Sequence, residues 1–200
     1  MRNIKKQNRA FFGKLAEYYD FIFGNWIKNM QGRVVDIVDV KNNSKILDAG
    51  CGTGNLLVLL EKSGKNLGIH GIDISKEMIK IARRKTDNIN LKIGLVENMD
   101  FKNNFFDYIF SIDAFHHYSD KDIAMNNFYR VLRKNGILII ADINFGRLFN
   151  KIFQKLEPGN SGIYNLGEMR KIFEDNSFKV IGQNKVGWFT YMTIGIKIPM

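Results

Sequence analysis

Three glycines, Gly50, Gly52 and Gly54, close the segment Ile46-Leu47-Asp48-Ala49-Gly50-Cys51-Gly52-Thr53-Gly54, directly after an apolar run. Glycine permits positive φ and close approach of the backbone, so a ligand can lie against such a turn. A helix beginning near Asn55 would present its unpaired amides to negative groups. A second apolar run ends in Asp73, 19 residues after Gly54. A carboxylate there is placed to accept two hydrogen bonds from a ribose diol. A glycine loop with a ribose acid suits a nicotinamide dinucleotide as well, but that fingerprint is G-x-G-x-x-G. Here the pattern is G-x-G-x-G with Asp48 before it, and Asn55 stands where the third dinucleotide glycine would fall. His116-His117 is a second group able to do chemistry, since an imidazole can act as a base near neutral pH. Cys51 reads as a small buried hydrophobe rather than a nucleophile.

These residues need a frame. Strand candidates are Lys45–Ala49, Gly68–Asp73, Asn90–Leu95, Phe105–Ser111 and Gly136–Asp142. Ile137-Leu138-Ile139-Ile140 is continuously apolar, as in a strand covered on both faces. Helical patterns lie between them. Ser75 can cap one that carries Met78, Ile79, Ile81 and Ala82. Ser119-Asp120-Lys121-Asp122 has capping-box form ahead of Ile123, Met125, Phe128, Val131 and Leu132. Strand alternating with helix predicts a parallel sheet with right-handed crossovers. A helix near Leu166–Asn176 then leads into Phe178–Val186, and only Gly187 separates that run from Trp188–Ile198. So short a link permits only an antiparallel pair. The expected fold is α/β, a doubly wound, mostly parallel sheet with an antiparallel C-terminal strand and helices on both faces. Residues 1–43 and 144–165 stand outside the alternation, as an N-terminal helical cap and a substrate-cap segment that carries Phe145, Phe149, Phe153 and Tyr164.

Two hundred residues make one domain with a sizeable core, here read as 1–200. The single cysteine excludes an intramolecular disulfide and any multi-thiolate metal site. No apolar run approaches the ~20 residues of a membrane-spanning helix, and a cytoplasmic setting is expected. The net charge of +10 raises nucleic acid or an anionic surface as partner, although lysines scattered over solvated faces explain such a balance equally well.

Leu47 to Gly54 resembles the first motif of class I S-adenosylmethionine-dependent methyltransferases. Gly71-Ile72-Asp73-Ile74-Ser75, continued by Glu77-Met78, resembles the second. Phe106-Asp107-Tyr108-Ile109-Phe110-Ser111 is similar to the fourth, and Phe128 to Gly136 to the passage before strand five. The closest flavour is the small-molecule branch that includes ubiquinone and menaquinone methyltransferases. The resemblance implies a seven-stranded Rossmann-like sheet and S-adenosyl-L-methionine as cofactor, with S-adenosyl-L-homocysteine as product. It further implies that Asp48, Gly50, Cys51 and Gly52 surround the methionine part, and that Asp73 binds the ribose hydroxyls. Ile74 and Met78 would pack on adenine, Val96 would meet its edge through the backbone, and Ser111 would lie beside the methionine part. Tyr19, in Tyr18-Tyr19-Asp20, resembles an N-terminal Tyr-Asp pair that closes over the cofactor. Where the family often has an acid, Leu95 stands, so Glu97 or a backbone carbonyl must meet the adenine amino group. Asn135 replaces the usual proline of a Lys-Pro-Gly turn, whose geometry asparagine tolerates.

Methyl transfer of this kind is an in-line displacement that needs alignment and exclusion of water; a base is optional. His116 and His117 are the candidates if one is used. Ser111-Ile112-Asp113-Ala114 lacks the Pro-Pro-Tyr of nucleobase amino-group methylation, and no Pro-Cys dipeptide serves cytosine attack. Phe115, Phe145, Phe149, Phe153 and Tyr164 favour a small organic acceptor, apolar or aromatic. Modification of tRNA, and a cofactor-binding protein that transfers nothing, are the other readings; fold alone does not fix activity.

Overall fold

A computed structural model describes residues 4–86, 88–146, 150 and 159–198. The chain opens with one long helix, α1 (Ile4–Val38), and then alternates: β1 (Lys45–Ala49), α2 (Asn55–Glu61), β2 (Gly68–Asp73), α3 (Lys76–Lys85) and β3 (Asn90–Ile93). A 3-10 turn at Val96–Asn98 precedes β4 (Phe106–Ile112), and a second at Phe115–His117 precedes α4 (Lys121–Val131). β5 (Leu132–Ile143), α5 (Leu166–Asp175), β6 (Phe178–Lys185) and β7 (Thr190–Lys197) complete the described elements.

The seven strands run in the order β3-β2-β1-β4-β5-β7-β6. β1 to β5 pair in parallel, whereas β7 is antiparallel to both β5 and β6. The expected antiparallel strand is therefore last along the chain but seated inside the sheet, with β6 at the edge. Helices cover both faces. One core joins α4 and α5 to the sheet through Phe128, Val131 and Phe173, and the other joins α1, α2 and α3 through Val34, Leu56, Leu57 and Ile79. Strand order reverses between β1 and β4, which opens a crevice at their carboxyl ends where such sheets bind ligands.

Local chemistry explains most of the element ends. Ser75 caps α3 by accepting from the Met78 amide at 3.2 Å. Asn165 and Glu168 form a full capping box on α5. Asn135 takes φ 60° at the turn into the body of β5, a left-handed conformation that asparagine tolerates and proline cannot adopt, so the turn departs from Lys-Pro-Gly geometry. Asp107 fastens the sheet's lower edge by accepting from the Lys45 amide at 2.7 Å and from Arg133 at 2.8 Å. One cap differs from expectation. Asp120, not Ser119, caps α4, accepting from Ile123 N at 3.0 Å. Ser119 is instead drawn to Glu97, whose Oε1 accepts both its amide and its hydroxyl. β3 also stops at Ile93, two residues short of the expected Leu95. Within residues 1–43 the structure describes the single helix α1 over Ile4–Val38, and of the 144–165 segment Phe149 and Phe153 lie outside the described residues.

Candidate functional site

The floor of the site is the turn between β1 and α2. Gly50, Gly52 and Gly54 all have positive φ, at 79°, 51° and 81°. Gly50 and Cys51 both donate to the Ile72 carbonyl, which pins the loop against β2. At Gly50 a side chain is barred twice, by φ and because a Cβ would lie 2.5 Å from that of Ala114. At Gly52 the space above is open. Asp73 stands at the end of β2, where Oδ2 accepts from Gly52 N at 2.9 Å and Oδ1 from Ser75 N at 2.8 Å. Each oxygen retains acceptor capacity. Burial raises its carboxyl above the usual carboxylate range.

The roof is α1. Lys5, Asn8, Phe12, Tyr19, Ile27 and Gln31 all reach the same pocket, so the cavity follows the helix along its length. Asp20 ties this roof to the floor. It accepts from Thr53 Oγ1 at 2.7 Å and Asn55 Nδ2 at 2.9 Å, and pairs with Lys85 at 2.5 Å. Burial acts to raise the Asp20 carboxyl, but the bonds from Lys85, Thr53 and Asn55 outweigh it and hold it low. At the other end Asn8 Nδ2 donates to the His117 carbonyl at 2.7 Å. Gly159 fits so closely beneath Asn8 that a Cβ there would strike its Oδ1 at 1.6 Å. Ser161 N donates to the His116 carbonyl at 2.8 Å, knitting the 159–162 loop to the same turn.

Of the residues singled out from the sequence, Tyr19, Gly50, Cys51, Gly52, Asp73, Ile74, Met78, Val96, Glu97 and His117 line this pocket together. Asp48, Ser111 and His116 stand one layer behind the wall. Asp48 is buried below the loop, and burial together with the Asp73 charge pushes its carboxyl up to about 8. Cys51 is buried and its thiol is pushed well above its usual value, as fits a core residue. Ser111 is hydrogen-bonded to the Tyr118 hydroxyl at 2.8 Å, and that hydroxyl donates to the Ala49 carbonyl at 2.8 Å. Tyr118 itself lines the pocket. His116 is buried with Nδ1 2.5 Å from Asp142 Oδ1, while its amide donates to Asp142 Oδ2 at 2.8 Å. Its ring lies 3.9 Å from that of His117, and Phe12 meets His117 edge-on at 4.8 Å. Asp113 joins His116 and Asp142 in a group whose nearest ligand atoms lie within 4.8 Å of one another.

Tyr118, Asp20 and Asn8 carry much of the geometry, Gln31 lines the pocket, and of these only Asp20 was given a role by its sequence. Asp20 had a signal, since it follows Tyr19 in the recognised pair. Tyr118, Asn8 and Gln31 had none, because their partners or neighbours come from distant parts of the chain.

A carboxylate at the end of β2, a left-handed glycine loop beneath it and a 3-2-1-4-5-7-6 sheet define a class I methyltransferase arrangement. A methyltransferase-domain family model matches residues 40–192, and the chain belongs to that family as an S-adenosylmethionine-dependent methyltransferase. A demethylmenaquinone methyltransferase of Thermotoga maritima is 31% identical over 160 residues, covering 74% of this chain and 68% of its own. The Thermus thermophilus protein of the same name is 28% identical over 175 residues, with 76% and 79% covered. Among solved structures, an Aquifex aeolicus SAM-dependent methyltransferase matches with a TM-score of 0.75 at 20% identity, over 95% of this chain and 98% of that one. Magnesium protoporphyrin IX methyltransferase from Synechocystis, with bound SAH, matches at 0.76 and 20% identity, over 98% and 100%.

The pocket fits S-adenosyl-L-methionine at three points. Asp73 offers spare acceptor capacity, the open space above Gly52 is the cradle a side chain would fill, and Ile74, Met78 and Val96 form an apolar wall.

Proposed function

We propose that the chain methylates a small, aromatic or apolar organic acceptor of the quinol kind. The observation that carries this reading is the apolar chamber that continues past the glycine loop beneath α1, walled by Phe12, Ile27, Ile112 and Ala114. The relatives named demethylmenaquinone methyltransferase support it. When bound, S-adenosyl-L-methionine supplies an electrophilic methyl group. Asp73 would hold its ribose hydroxyls, the Gly50–Gly52 backbone its methionine part, and Ile74, Met78 and Val96 its adenine. Glu97 Oε1 is engaged by Ser119, which leaves Oε2 for the adenine amino group. Tyr19 and the rest of α1 exclude water from the reacting centre. His117, the imidazole on the wall, would take the acceptor's proton, with His116 and Asp142 stacked and hydrogen-bonded behind it.

The test is methyl transfer from labelled S-adenosylmethionine to a panel of demethylated quinols, other small aromatics and unmodified tRNA. Turnover on a quinol, slowed in His117→Ala, is expected; turnover on tRNA alone would overturn the reading. The RNA reading has one observation in its favour. Lys6, Arg9, Lys14 and Lys76 line a groove beside Ile74, and binding through it would weaken steeply with salt.

A further inference from the structure

α1 is apolar on two sides. Its inner side sends Ala16, Ile27, Met30 and Val34 into the core. Its outer side carries Tyr18, Ile22 and Trp26 at four-residue spacing, with Phe21 next to them. Tyr18 is 64% exposed and Phe21 92%. A helix with a second apolar face is built for a second partner, and the protein's own core occupies only the first.

The turn between β6 and β7 lies against the same helix. A Cβ at Gly187 would lie 3.7 Å from Met30 Cγ, which places the turn one helical turn along from Trp26. Trp188, 80% exposed, and Phe189 stand out beside it. The chain has two tryptophans, Trp26 on the outer side of α1 and Trp188 on this turn, and both are exposed. Tryptophan and tyrosine, apolar in body and polar at the tip, seat at the headgroup level of bilayers. Lys14, Lys28 and Arg33 are exposed on α1 alongside Glu17 and Asp36, which leaves the helix weakly basic there, and the whole chain carries +10.

We propose that the outer face of α1 and the β6–β7 turn dock on the surface of an anionic lipid bilayer. Aromatic residues would enter the headgroup boundary while the lysines and arginine meet lipid phosphates. The net charge of +10 favours an anionic surface over a second, equally positive copy of the chain. The inference goes beyond methyl transfer and stands apart from the acceptor reading. Its consequence is that the roof of the cofactor pocket, which turns Phe12 and Tyr19 inward from the same helix, would rest against lipid.

The full-length protein is mixed with vesicles of phosphatidylcholine alone, or of phosphatidylcholine and phosphatidylglycerol in equal parts. Tryptophan emission should shift to the blue and protein should sediment with the anionic vesicles only, less so at high salt. In the double variant Phe21→Ser, Trp188→Ser, Trp26 still reports, and partitioning should weaken about tenfold or more. Its S-adenosylhomocysteine affinity should be unchanged, which shows that the variant is folded. Absence of any shift, or equal partitioning by the variant, would overturn the proposal. So would a concentration-dependent dimer abolished by the same substitutions, since the face would then belong to a second copy.

Discussion

The floor and the roof of the site are built by different means. The floor is backbone: Gly50, Gly52 and Gly54 in left-handed conformation, two amides on one carbonyl, and a carboxylate held by neighbouring amides. The roof is a single helix whose C-terminal half packs into the core through Met30 and Val34, while side chains latch its N-terminal half to the floor, Asp20 at mid-helix and Asn8 near its start. A backbone floor tolerates almost no change of residue type, whereas a side-chain latch loosens by degrees. The contrast separates the part of the pocket that must be rigid before ligand arrives from the part that can yield to admit it.

The largest effect should come from the floor. Gly50→Ala places a side chain at φ 79° and 2.5 Å from Ala114 Cβ. A loss of roughly 2–5 kcal/mol of stability is expected from backbone strain and overpacking. Chemical denaturation measures it, and a loss below that of an ordinary surface change would remove the distinction between floor and roof. Asp73→Ala should weaken S-adenosylhomocysteine binding by ~1.5–3 kcal/mol in calorimetry, the range for a hydrogen bond to a charged group. Unchanged affinity would show that the ribose is held elsewhere.

Acidity offers a finer comparison, because the two regions should respond to pH in opposite directions. In the folded chain Asp48 stays protonated up to about pH 8, against 3.8 unfolded, so the folded state binds the extra proton. Stability then falls as pH rises between those values. Asp20 runs the other way. Its folded value lies below 3.8, so its contribution is present above that pH and is lost as pH falls through the folded value. Asp48→Asn should flatten the decline in stability between about pH 5 and 8, by on the order of 4 kcal/mol. Asp20→Asn should keep that decline, cost about 1 kcal/mol because the latch is partly solvated, and speed hydrogen exchange in α1. A wild-type slope in the Asp48 variant would mean that this carboxyl is ionised in the folded protein.

What was legible in the sequence follows the same division. Asp73, the glycine loop, the Ser75 cap and the Asn135 turn are written in short-range residue types, because left-handed backbone and free amides constrain which residues fit. The family resemblance implied seven strands, whereas the order that seats β7 between β5 and β6 came only with the structure. The roof was not legible, since Asp20 meets Thr53 across 33 residues and Asn8 meets the His117 carbonyl across 109. No local spacing encodes such pairs. Ser119 shows the competition directly. Its S-x-x-D pattern reads as a helix cap, yet Glu97, 22 residues away, captures both its amide and its hydroxyl and leaves the cap to Asp120.

The place of β7 has a consequence for how the molecule comes together. It pairs with β5 over Ile137–Ile143 on one side and with β6 on the other. Until it is made, β5 carries an open edge and β6 has no neighbour, because the two are not joined directly. During synthesis the nascent sheet therefore waits, sticky-edged, for its last described strand to slide between two others. That is the interval in which strand-to-strand aggregation threatens, and in which long-range pairing makes folding slow.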